Sequence, residues 1–134
     1  MQILIERMSS IPVGYKPRLR ELTIGPVAWG LWSLTYHDGS TYAALALDGG
    51  DKPEHIVGWA ACTLEYDEHP MIGAYVLEAH RGKGIAASLV TSLLRDLRGR
   101  GVLSPGDVVV ASTWRWPLYG ALIASCGLTP QTWE

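Results

Sequence analysis

The sequence predicts one α+β domain built around a central mixed β-sheet, and three observations carry that prediction. Short apolar or alternating runs of strand length occupy residues 2–7, 41–47, 56–64, 71–77 and 107–111. One long amphipathic run, residues 85–98, repeats at helical spacing. Three strand-like runs follow one another before that helix, so the sheet opens as an antiparallel meander and not as alternating strand–helix units. At 134 residues the chain can bury about two-thirds of its unfolded surface, enough for a core without staples.

In chain order, residues 2–7 put Ile3 and Ile5 on one face of a short first strand. Pro12, Gly14, Pro17, Gly25, Pro26 and Gly30 then cut residues 8–40 into pieces that admit only short helices, expected at 18–22 and 27–34. Trp29 and Trp32 would share a helix face there and are read as core anchors. Residues 41–47 and 56–64 flank the turn Asp48-Gly49-Gly50-Asp51 with Pro53, the pattern of an antiparallel hairpin. A second turn, Tyr66-Asp67-Glu68-His69-Pro70, leads into the third strand of the meander at 71–77. In the long helix, Ile85, Leu89, Leu93 and Leu97, with Ala86, Val90 and Leu94, form one wide apolar face. Gly99 and Gly101, beside Arg98 and Arg100, stop it. Pro105-Gly106 turns the chain into 107–111, whose Val108-Val109-Val110 reads as a strand buried on both faces and parallel to the one before the helix. Pro117 suits the first turn of a second helix running to about Cys126, which Gly127 ends. Residues 128–134 leave room for one short edge strand. Repeats, linkers and low-complexity stretches are absent, so residues 1–134 read as a single unit.

Composition narrows the function classes. Hydrophobic residues make up 48% and charged ones 18%, a globular balance. A net charge of −2 without a Lys/Arg cluster gives no footprint for nucleic acid or an anionic membrane, and no run approaches the ~18 apolar residues of a membrane span. Cys62 and Cys126 sit inside apolar runs without CxxC or ligand-spaced His, so buried free thiols and a reducing cytoplasm are expected. The four His are scattered, and no metal site is expected.

Chemistry concentrates in the turn before the long helix. Arg81-Gly82-Lys83-Gly84 delivers several backbone N–H groups to a helix N-terminus, where the first four amides lack intrahelical partners and the dipole adds about half a positive charge. Gly82-Lys83-Gly84-Ile85-Ala86-Ala87 formally fits G-x-G-x-x-G/A, but a dinucleotide loop follows the first strand of a βαβ series with an acid ~20 positions on, and this one follows a meander. No Gly-Lys-Ser/Thr completes a phosphate loop of the other common kind.

Arg81-Gly82-Lys83-Gly84-Ile85-Ala86 resembles the Arg/Gln-x-x-Gly-x-Gly/Ala signature of the GNAT superfamily of acyl-CoA-dependent N-acyltransferases, and Tyr75-Val76-Leu77 resembles that family's central strand. Over roughly residues 41–128 the order of elements is also the family's: meander, signature helix, parallel fourth and fifth strands, C-terminal helix. The resemblance implies acetyl-CoA as co-substrate, with its pyrophosphate on Arg81, Gly82, Lys83, Gly84, Ile85 and Ala86, mainly through backbone. It further implies pantetheine lying beside Tyr75, Val76 and Leu77 in a cleft between the fourth and fifth strands, with the Val76 amide polarising the thioester carbonyl.

Transfer to an amine needs a proton removed from the ammonium and one returned to the thiolate. Family members often take the acid from a tyrosine on the last helix. Anchoring on Cys126-Gly127-Leu128 puts Ile123 at that position and Trp116 where the pattern has Asn, whereas Leu118-Tyr119 restores the tyrosine but leaves Gly127 late. Tyr119 and Ile123 lie about 6 Å apart along one helix face, so Tyr119 is the candidate acid, with water placed by Ser112 or Thr113 as the alternative. Glu68 and His69, with Glu65 nearby, are candidate bases. The acceptor, a small-molecule amine or a protein, would be chosen by residues 8–40 and the Tyr66–His69 turn. The alternative is a GNAT-fold protein that acts by binding another protein, or a second copy of itself through a short last strand.

Overall fold

A computed structural model describes residues 1–22, 40–64, 68–112 and 116–133 of the chain. Six strands form one mixed sheet whose spatial order equals the chain order: β1 (Gln2–Arg7), β2 (Thr41–Leu47), β3 (Ile56–Thr63), β4 (Met71–Val76), β5 (Val108–Ser112) and β6 (Thr129–Trp133). The first four pair antiparallel; β4 with β5 and β5 with β6 are parallel. Between them run α1 (Tyr15–Glu21), α2 (Ile85–Gly99) and α3 (Trp116–Ser125). The meander, the long helix and the parallel return are therefore as the periodicity predicts.

Helix α1 starts earlier than the sequence suggested. Pro17 is its third residue, where the missing N–H has no intrahelical acceptor to lose, so a residue read as a breaker is accommodated inside the first turn. The segment 27–34, with Trp29 and Trp32, lies outside the described residues, as do Glu65, Tyr66, Asp67 and Thr113.

The sheet is covered on both sides. On one side, Ile85, Leu89, Val90, Leu93, Leu94 and Leu97 of α2 pack with Ala44, Ala60, Cys62, Ile72 and Val76 of the meander, with Tyr119 and Ile123 of α3, and with Cys126 just after it. Each such aliphatic side chain contributes about 1.5–3 kcal/mol on burial. On the other side, Met8, Ile11, Tyr15, Leu19 and Leu22 cover Ala43, Leu45, Leu47, Trp59 and Ala61. Both cysteines are buried free thiols.

Helix α2 ends on Gly101 at φ 76°, with Val102 N–H donating to Leu97 O at 2.9 Å. Arg98 does not cap its own helix. Its Nη1 donates to Cys126 O at 2.7 Å and Gly127 O at 3.3 Å, closing the end of α3, where Gly127 turns at φ 74°. No described helix is long and apolar enough to cross a membrane.

Candidate acyl-CoA site

The site follows from where strand pairing stops. Among the described residues β4 and β5 pair through Met71↔Val110 and Ile72↔Ala111, with Val110 N–H donating to Pro70 O at 2.8 Å. Among these residues the ladder ends at Ile72 and Ala111. Backbone direction alternates along a strand. Because Leu77 N–H donates to Val57 O at 2.9 Å, Tyr75 and Leu77 present their backbone groups to β3. Ala74 and Val76 consequently present theirs to the β5 side. Of the three strand residues expected along pantetheine, Val76 alone offers an N–H to that side.

The glycine turn stands at the end of the same strand. A 3-10 turn, Glu78–His80, leads to Arg81, and Gly82 and Gly84 follow at φ 79° and 76°. Both glycines occupy the left-handed region, and a Cβ on either would meet nothing within 4 Å. They are needed for conformation and leave the approach open. The first helical bond of α2 runs from Ser88 N–H to Gly84 O at 3.0 Å, so the amides of Ile85, Ala86 and Ala87 precede the ladder. No acidic residue lies in the first turn of α2 and no side chain caps it, so its positive end is uncompensated. Lys83 is exposed beside it.

Arg81 takes a part beyond the backbone role that the motif implies. Its Nε donates to Val76 O at 2.9 Å, and its guanidinium carbon stands 5.5 Å from the Tyr75 ring centroid. Tyr75 in turn lies 6.4 Å from Trp59, on the α1 side of the sheet. Gly58 is a second residue that the motif does not single out. A Cβ there would sit 2.9 Å from Tyr75 O and 3.1 Å from Val76 Cγ2, so this glycine lets the end of β4 close onto β3. The signal was available, since a lone glycine inside an apolar strand marks close backbone approach.

The proton-transfer candidates are more dispersed. Tyr119 lies on the buried face of α3, 8% exposed, in the same cluster as Ile123. Glu68 is exposed and His69 half-buried in the turn that enters β4, at the opposite end of that strand from Arg81. Burial pushes the Cys62 thiol up to about 12, which makes it inert packing and no nucleophile.

A free helix N-terminus next to an unpaired strand edge can bind an extended anionic chain: the amides take the phosphate, the strand takes the amides of the chain. The comparisons agree with that geometry. The Acetyltransferase (GNAT) family model matches residues 6–122. Among solved structures, a GNAT-family protein from Bordetella pertussis superposes at TM-score 0.57 with 19% identity, covering 91% of this chain and 84% of its own. A ribosomal-protein-alanine N-acetyltransferase from Brucella melitensis biovar Abortus 2308 gives 0.55 with 19% identity, covering 100% and 96%. A spermidine N-acetyltransferase chimera from Vibrio cholerae and hSSAT gives 0.59 with 14% identity, covering 94% and 80%. A comparison with curated proteins found no match. At these identities the structural likeness is one of fold, and it is the family model, spanning most of the sequence, that decides membership: this chain belongs to the GNAT family of acetyltransferases.

Proposed function

We propose that this chain, acting as one acyl-CoA-binding domain, moves an acetyl group from acetyl-CoA to a primary amine by direct attack in a ternary complex. The observation that carries the reading is the backbone edge of Ala74 and Val76, which no described strand residue pairs, beside the amides of Ile85, Ala86 and Ala87 that precede the helical ladder. Acetyl-CoA supplies an activated thioester and an anionic pyrophosphate. The pyrophosphate fits the turn from Arg81 to Ala86, where glycines keep the approach open and no carboxylate competes. The Val76 N–H, facing the β5 side, donates to the thioester oxygen as it gains charge; a donor of this kind is typically worth about 3 kcal/mol. The candidate bases Glu68 and His69 lie at the far end of β4 from Val76, roughly 20 Å along an extended strand, so they take the ammonium proton through a chain of waters, and Tyr119 returns one to the departing thiolate.

The solved structures of like fold bear names that point to an alanine of a ribosomal protein in one case and to spermidine in another. Both chemistries belong in the acceptor panel. Isothermal titration with acetyl-CoA, followed by thiol release in the presence of spermidine and of a peptide with a free alanine amine, tests the proposal. Saturable binding and amine-dependent thiol release support it. No binding at millimolar acetyl-CoA favours the rival reading, a protein of this fold that acts by docking on another chain.

A further inference from the structure

We infer that Arg81 is a positioning residue for acyl transfer: its side chain fixes the Val76 peptide so that the Val76 N–H, and not the Val76 carbonyl, is what the cleft presents to a thioester. The inference rests on the reading of this edge of β4 as the acyl-CoA site. In an extended strand the N–H and C=O of one residue face the same edge. The Val76 oxygen would then stand beside a thioester oxygen that turns negative on attack, and it would oppose the donor next to it. Arg81 removes that opposition. Its Nε–H occupies the carbonyl at 2.9 Å, placing a cation against its lone pairs.

Arg81 is exposed as a residue, yet its guanidinium is held on two sides. The carbonyl takes Nε, and the Tyr75 ring lies 5.5 Å from the guanidinium carbon. Tyr75 is itself backed by Trp59, which is 1% exposed, at 6.4 Å. The side chain thereby closes a short loop from the last residue of β4, across the Glu78–His80 turn, to the first residue of the glycine turn.

The test uses the full chain with [1-13C]acetyl-CoA. Isotope-edited infrared spectra of the bound thioester carbonyl and titration calorimetry are compared for wild type, Arg81→Met and Arg81→Lys. The expected result is a bound carbonyl stretch below that of free acetyl-CoA in wild type. Arg81→Met loses most of that shift while Kd changes by no more than about fivefold, and turnover at saturating acetyl-CoA falls roughly tenfold or more. Arg81→Lys, which keeps one donor, retains part of the shift and carries the test should the methionine variant fail to fold. An unchanged shift in the variants overturns the inference, as does a large loss of affinity with the shift per bound molecule intact, which would make Arg81 a phosphate contact. A second measurement needs no cofactor: exchange of the Leu77 amide, which shares a peptide with the Val76 carbonyl and donates to Val57 O, accelerates in Arg81→Met in the free protein, and unaltered exchange overturns the inference by itself. Absence of acetyl-CoA binding by wild type overturns the acyl-CoA reading and this inference together, before any variant is compared.

Discussion

Replacing Gly58 with alanine tests the architecture beneath the cleft. Gly58 and Val76 are cross-strand partners, and the bond from Leu77 N–H to Val57 O makes them a non-hydrogen-bonded pair, the arrangement in which antiparallel strands come closest. An added Cβ would lie 2.9 Å from Tyr75 O, 3.1 Å from Val76 Cγ2 and 3.4 Å from Leu89 Cδ1. To regain an ordinary contact of about 3.5 Å, the end of β4 must recede by roughly half an ångström, and Leu89 blocks relief from the helix side. Overpacking of this kind costs about 1–3 kcal/mol, against about 0.5–1 kcal/mol gained by giving a strand glycine a side chain. The expected net loss of about 1–2 kcal/mol lowers the melting temperature by roughly 3–8 °C. Because Val76 moves with the strand, acetyl-CoA affinity falls as well. Gly73→Ala is the control from the neighbouring strand: its Cβ would meet nothing within 4 Å, so the gain is unopposed and stability rises by about 0.5–1 kcal/mol. A Gly58→Ala protein that melts at or above wild type, with unaltered affinity, would refute the claim that this glycine sets the position of the cofactor strand.

Four further outcomes are expected. Gly84→Ala places a side chain at φ 76°, costing about 1–2 kcal/mol in a thermal melt, and it weakens acetyl-CoA binding more than the melt alone accounts for, because the N-terminus of α2 is displaced. Gly127→Ala combines φ 74° with a Cβ 2.4 Å from Arg98 Nη1, so it should lose about 2 kcal/mol in denaturant titration; Arg98→Met, which uncovers the same carbonyls without the strain, should lose less. Cys62, lifted from 9.0 to about 12, stays protonated when folded while the unfolded thiol ionises. The unfolded chain then holds fewer protons, so stability present below pH 9.0 declines toward pH 12 by up to about 1.4 kcal/mol per unit, and Cys62→Ala should flatten that slope in urea melts. Tyr119→Phe should lower amine-dependent thiol release at least tenfold with unaltered acetyl-CoA affinity if Tyr119 is the acid, and full activity would remove it from the mechanism.

What the sequence disclosed depended on the range of the interaction involved. Ile85, Leu89, Leu93 and Leu97 declare the face of α2 through spacing alone, and the observed buried set contains all four. Strands β1 and β2 run over the residues their alternation or apolar continuity marks. The start of α1 was hidden because a proline signals a break without saying whether it stands within the first turn or beyond it. Tyr119 and Ile123 could be placed on one face, and both are buried there, but helical geometry alone does not say which one nears Val76. Arg81 was least legible. Its motif identifies the loop, whereas the bond from its side chain to Val76 depends on how the 3-10 turn folds the loop back on the strand, which no local pattern encodes.

Among the described residues two rungs join β4 to β5, and they mark a seam in the sheet. Chain order and strand order coincide, so the seam divides β1–β4 from β5–β6, with α2 as the spine, since it touches β2, β3 and β4 on one side and α3 on the other. Widening the seam disturbs few backbone bonds among the described residues, and thermal opening should concentrate there. A chain laid along Ala74 and Val76 would add backbone pairing at that seam. Its signature would be distant: on saturation with acetyl-CoA, amide protection should rise in β5 and β6 as well as at the loop, by up to the ~2.7 kcal/mol that a hundredfold excess over Kd supplies.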